Sequence, residues 1–165
     1  MKLIIGSIII FSLVILFLFA LFPTDISVSR VVQIRSSRGQ VHKKIADLRE
    51  WKTWNEILNN SFESKLEIPV ITDSIRIRKG YFSIELLKDL PDTVITKWQN
   101  KENSFTGNFA LSEMNGQVIV DWTLHFHIKW YPWDKLASMF YEKKIGPLME
   151  QSLINLQKEL EKGGG

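Results

Sequence analysis

The sequence predicts an α+β domain, in which a curved antiparallel sheet of about six strands wraps around a long C-terminal helix and two short helices follow the first strand. Three observations carry this. Five segments of alternating apolar and polar residues succeed one another between residues 71 and 129, the pattern of half-buried strands. Residues 132–162 instead carry an apolar stripe at three- and four-residue steps, the period of a helix lying on a core. One further alternating segment, residues 26–34, comes before any helical pattern, so strands bracket the short helices.

Taken in order, the chain opens on residues 3–22, twenty apolar residues without a charge. As a helix they would reach about 30 Å, the thickness of a bilayer's hydrocarbon core. The run exceeds the apolar core of a secretory signal and closes on Ala20-Leu21-Phe22-Pro23 without a small-x-small site. It is therefore read as an uncleaved single-pass membrane anchor over residues 1–22, followed by a linker at 23–25. Counting Arg30, Arg35 and Arg38 would hold the domain inside, whereas the very short flank with Lys2 reads as a signal-anchor that sends it outward. The outward, periplasmic side is preferred.

In the strand at 26–34, Ile26, Val28, Arg30, Val32 and Ile34 share a face. Ser36 and Ser37 can cap the next helix, and Val41, Ile45, Leu48, Trp51 and Trp54 keep helical spacing to about residue 58. The series of strands is 71–78, 81–88, 93–100, 104–114 and 117–129. Turn signals fall at Lys79-Gly80, Leu90-Pro91-Asp92 and, most strongly, Asn115-Gly116. A long helix then starts near Asp134, with a bend predicted at Gly146-Pro147. Residues 26–162 thus form one domain, and 163–165 a flexible tail.

The chain has 21 basic and 18 acidic residues, too slight and too scattered a surplus to imply a nucleic-acid partner. It has no cysteine, which excludes disulfides, thiol catalysis and thiolate metal sites. No Gly-x-Ser-x-Gly elbow, phosphate loop or metalloprotease helix is present, so catalysis is the weaker reading and no cofactor is expected.

Ser29-Arg30-Val31-Val32-Gln33-Ile34, then Leu48-Arg49-Glu50-Trp51-Lys52-Thr53-Trp54-Asn55, and the closing segment 140–156 with its Gly146-Pro147 and leucine spacing resemble the SRPBCC superfamily. This is the START-like, helix-grip group that includes polyketide cyclase/dehydrase and lipid-transport proteins. In bacteria a membrane helix before such a domain is familiar. The resemblance spans residues 26–162 and rests on pattern. It departs at the first helix, where Arg38-Gly39 replaces the usual Pro-Glu, and in a short sheet region. What it implies is a pocket for a hydrophobic small molecule or lipid between sheet and C-terminal helix. The alternatives are a cyclase/dehydrase-type enzyme and an interaction domain with a filled core.

By strand parity the pocket wall comprises Phe82, Ile84, Leu86, Trp98, Phe105, Phe109, Val120, Trp122, Leu124 and Phe126, with Phe140 from the closing helix. Gly107, in mid-strand, marks a bulge or a close approach. Arg30 is the charge on the inward face of its strand. It requires a carboxylate, Asp73 being one candidate, or an acidic ligand head. His125 and His127 share the polar face with Asp121 and read as solvated rather than metal-binding. Trp51 and Trp54 read as packing residues, and Trp130-Tyr131-Pro132-Trp133 as an aromatic loop near the pocket mouth.

Overall fold

The computed structural model describes residues 2–20, 24–60, 70–71, 74–77, 82–99, 103–129 and 131–162. Helix α1 (Lys2–Ala20) leads to strand β1 (Asp25–Ile34) and helix α2 (Arg38–Ala46). A 3-10 turn (Leu48–Glu50), α3 (Trp51–Trp54) and α4 (Glu56–Asn60) follow. The sheet continues through β2 (Val70–Ile71), β3 (Ser74–Ile77), β4 (Phe82–Leu90), β5 (Thr93–Gln99), β6 (Ser104–Met114) and β7 (Gln117–His127). Helices α5 (Pro132–Ser138) and α6 (Tyr141–Lys162) close it.

The single-pass membrane assignment is corrected here. Among the described residues no helix is long and apolar enough to cross a membrane. With the span goes the assignment of a side.

Local chemistry accounts for the short helices. Ser37, in extended conformation, accepts a hydrogen bond from the Gln40 amide and caps α2. Asp47 ends α2 and caps the 3-10 turn, its carboxylate accepting from the Arg49 amide at 3.0 Å. The Arg49 guanidinium hydrogen-bonds the same carboxylate and holds its pKa below the usual range. The second predicted helix is split between α3 and α4. Asn55 lies between them in extended conformation, and its Oδ1 accepts from the Ile57 and Leu58 amides at 3.1 and 3.2 Å.

The seven strands are antiparallel in the order β1-β7-β6-β5-β4-β3-β2, against about six predicted; five of them are long. The extra strand arises because the predicted strand at 71–78 is two, β2 and β3, which pair with each other as Val70↔Ile75 and Ile71↔Ser74. The Lys79-Gly80 turn signal and Asp73 lie outside the described residues. At Asn115-Gly116 both φ angles are positive, 53° and 74°, which sets the tight β6–β7 hairpin. A register shift between Leu86 and Lys88 against β5 leaves Leu87 exposed.

The predicted terminal helix is also two helices, separated by a turn at Met139–Phe140, while Pro147 sits inside α6. Helix α6 lies along β1 and packs on α3 and α4. It buries Gly146, Met149, Ser152, Leu153 and Leu156. The Ser152 hydroxyl accepts from the Glu56 amide at 2.8 Å, so the start of α4 is tied to the middle of α6.

Candidate ligand-binding site

Cross-strand register assembles the inward face in rows. Ile84, Trp98, Phe105, Phe126 and Ile26 form one row; Leu86, Thr96, Gly107, Leu124 and Val28 the next. Val94, Phe109, Trp122 and Arg30 form the third, and Leu111, Val120 and Val32 the fourth. Ten of the twelve residues singled out from the sequence therefore stand together on this face. Phe82 begins β4 opposite Ile77, and Phe140 is 58% exposed in the turn before α6. Ile84, Trp98, Phe109, Val120, Trp122 and Leu124 are buried.

The residues that cover the face from above are the two tryptophans read from the sequence as packing residues. Trp51 and Trp54 of α3 are fully buried over it. The Trp51 ring lies 5.5 Å from Trp98 and 5.7 Å from Phe109; the Trp54 ring lies 6.2 Å from both Phe109 and Trp122. Phe109 stacks on Trp122 at 4.9 Å. At the other end Phe126 meets Phe105 at 4.7 Å and Tyr141 of α6 at 5.0 Å. Each such pair adds about 0.5–1.5 kcal/mol beyond its buried area.

The four buried indoles differ in their N–H groups. Trp51 donates to the Ile45 carbonyl at 2.8 Å. Trp98 donates to Thr96 Oγ1 at 3.0 Å, and that hydroxyl donates to the Gly107 carbonyl at 3.3 Å. Gly107 is what admits this relay: a Cβ there would lie 2.8 Å from Thr96 Oγ1, 3.0 Å from Trp98 Nε1 and 3.2 Å from Leu124 Cδ2. The mid-strand glycine is thus a close approach, and β6 keeps its register through it. Among the described residues Trp54 Nε1 and Trp122 Nε1 are buried with no acceptor, as is Asn55 Nδ2. Leaving a buried donor unpaired costs about 1–3 kcal/mol.

Arg30 reaches α6. Its Nη2 donates to Glu142 Oε1 at 2.6 Å and its Nη1 to the Ser29 carbonyl at 2.7 Å. The guanidinium lies against Gly146, where any Cβ would collide with it. The carboxylate that meets this charge is therefore 112 positions away in the chain.

Where β1 begins and β7 ends, the outer, polar face of the sheet carries an open hollow of about 490 Å³ along the row Ser27, His125, Thr106 and Lys97. Phe105, Phe126 and Ile26 bring apolar surface to it, while Lys97, Thr106, Ser104, His125, His127, Asp25 and Ser27 bring polar groups. His125 and His127 are exposed, and His127 Nδ1 lies 2.8 Å from Asp25 Oδ1, a hydrogen bond that holds the Asp25 carboxyl below its usual pKa. Among the described residues no group of three metal-ligating side chains forms. Trp130 lies outside the described residues, and Tyr131 and Trp133 stack on each other at 5.2 Å, both exposed.

No family model matches the chain, and no curated protein matches it. Solved structures do. A START superfamily protein from Mycobacterium smegmatis superposes with a TM-score of 0.56 at 15% identity, covering 82% of this chain and 97% of that one. CalU16 from Micromonospora echinospora gives 0.53 at 13%, covering 79% and 71%. DynU16, a putative protein in the dynemicin biosynthetic locus, gives 0.52 at 19%, covering 83% of this chain and 48% of that one. The chain thus spans about half of DynU16. Such identities establish likeness of fold alone. With its antiparallel sheet and long closing helix, and in its likeness to these neighbours, the chain has a START-like helix-grip fold.

Proposed function

We propose that residues 26–162 bind a hydrophobic small molecule or lipid against the inward face of the sheet, with Phe105 and Phe126 at the mouth. One observation carries this reading. The inner face of the sheet is a continuous apolar surface, with Trp98, Phe109 and Trp122 under α3 and Phe105 and Phe126 at its end, in a fold shared with a START superfamily protein. Apolar burial against Ile26, Phe105 and Phe126 supplies the driving force. The deeper wall is Ile84, Leu86, Trp98, Phe109, Val120, Trp122 and Leu124, with Arg30 at its β1 edge. Catalysis is not invoked: among the described residues of this face, the polar side chains are the paired Arg30 and the hydroxyl of Thr96, itself engaged with Trp98 and Gly107.

Native mass spectrometry of the purified chain, followed by organic extraction, tests the proposal. An apolar molecule that co-purifies, and is lost on Phe105→Asp or Phe126→Asp while the fold persists, is the expected result. A chain that carries nothing and takes up no apolar probe refutes it.

A further inference from the structure

The outer face of the sheet carries one row of unpaired polar side chains between two rows that pair. Toward the start of β1, Asp25 is engaged by His127 at 2.8 Å. On the other side, the Ser29 and Thr123 hydroxyls lie 2.9 Å apart, and Thr123 donates to Asp121 at 3.1 Å. Between these, strand register aligns Ser27, His125, Thr106 and Lys97 across β1, β7, β6 and β5. Among the described residues none of these four side chains has a hydrogen-bonding or ionic partner. All four line the open hollow of about 490 Å³.

Lys97 is the informative member. It is half-buried, and on β4 it stands directly opposite Glu85. Opposite charges so placed have Cβ atoms about 5 Å apart and ordinarily attract each other across the strands. Here no ion pair joins them, and Lys97 lines the hollow while Glu85 does not. A partly desolvated ammonium without a carboxylate gains from an incoming negative group. The row around it consists of donors: three ammonium N–H groups, two hydroxyls and an imidazole. Asp25, the carboxylate that lines the same hollow, is already held by His127. Neighbouring strands are about 4.8 Å apart, so Lys97 and His125 flank Thr106 within reach of one group seated above it. We infer that this row binds the oxyanion of a small organic acid, a carboxylate or phosphate, over Thr106 between Lys97 and His125. The site lies on the opposite face of the sheet from the apolar wall and does not depend on it.

Benzoate, phenyl phosphate and benzamide, three probes built on one ring, test this on the full chain by titration calorimetry. At least one of the two anions is expected to bind about tenfold more tightly than benzamide, the contribution of a charge-assisted contact. That anion should also shift the His125 ring signals in NMR spectra of the wild type, which carry the test if a variant does not fold. The tighter of the two identifies the head group. Lys97→Gln should remove the preference for the anion, and Lys97→Arg should keep it. Equal affinity for all three probes, or no binding of either anion, would overturn the site. So would a preference for the anion that survives Lys97→Gln but is lost in Phe126→Asp, which would move the contact to the inward face.

Discussion

Gly107→Ala puts a methyl group where Thr96, Trp98 and Leu124 already converge. The new Cβ would meet Thr96 Oγ1 at 2.8 Å, closer than real Cβ atoms come to a neighbour, and Trp98 Nε1 at 3.0 Å. Thr96 cannot turn away freely, because its hydroxyl is the link between the Trp98 N–H and the Gly107 carbonyl. Overpacking of this kind costs about 1–3 kcal/mol. Breaking the relay orphans the Trp98 donor at a further cost of about 1–3 kcal/mol. Against this, replacing glycine restricts the unfolded chain and returns about 0.4–1 kcal/mol. The net expectation is a loss of about 2–4 kcal/mol. For a domain of about 140 residues that lowers Tm by about 7–13 °C. Urea unfolding followed by intrinsic fluorescence gives the free energy, and the Trp98 indole signal reports the relay directly. In a Thr96→Ala background the same substitution should cost distinctly less, since the tightest contact is gone. Gly107→Ala within about 0.5 kcal/mol of wild type, or an equal cost in both backgrounds, refutes the reasoning.

Two other tests address α6. Gly146→Ala gains about 0.8–1 kcal/mol of helix propensity, but its Cβ displaces the Arg30 guanidinium from Glu142, so in the wild-type protein the two effects nearly cancel. In an Arg30→Ala background it should stabilise, and an identical effect in both backgrounds by thermal denaturation would exclude the clash. Lys44 donates to Glu50 and Glu159 at 2.7 and 2.8 Å; burial opposes its charge, but these carboxylates outweigh it and raise its pKa. Its contribution to stability is complete below the unfolded lysine value of about 10.4 and is lost as pH climbs through the higher folded value. Melting curves between pH 9 and 12 should fall more steeply for wild type than for Lys44→Met, and parallel curves would show that the triad contributes nothing.

How far this structure can be read from the chain depends on the range of the cause. Alternation in β7 sends Val118, Val120, Trp122, Leu124 and Phe126 inward, and all are buried, because pleat parity is local. Asn115-Gly116 declares its hairpin for the same reason. The division of β2 from β3 was less legible, since an apolar run reads alike whether it is one strand or two short ones folded together. So was the break at Met139–Phe140, where the sequence shows one continuous apolar stripe. The opening apolar run reads as a span, yet among the described residues no helix is long and apolar enough to cross a membrane. At the site, parity assembles most of the wall, yet the partner of Arg30 is remote. Whether an indole N–H is satisfied depends on atoms from other strands and helices that periodicity does not encode.

The pairing of β1 with β7 has a bearing on how the protein is made. Ser29 meets Thr123 across 94 positions, their hydroxyls 2.9 Å apart. At synthesis rates of about 5–20 residues per second, β1 waits roughly 5–20 s for the strand it must join. Through that interval Ile26, Val28 and Val32 have no sheet to lie on, and a nascent chain halted before residue 117 has no means of completing it. Premature termination anywhere upstream of the final hairpin therefore leaves a sticky ribbon suited to chaperone capture rather than a smaller working domain.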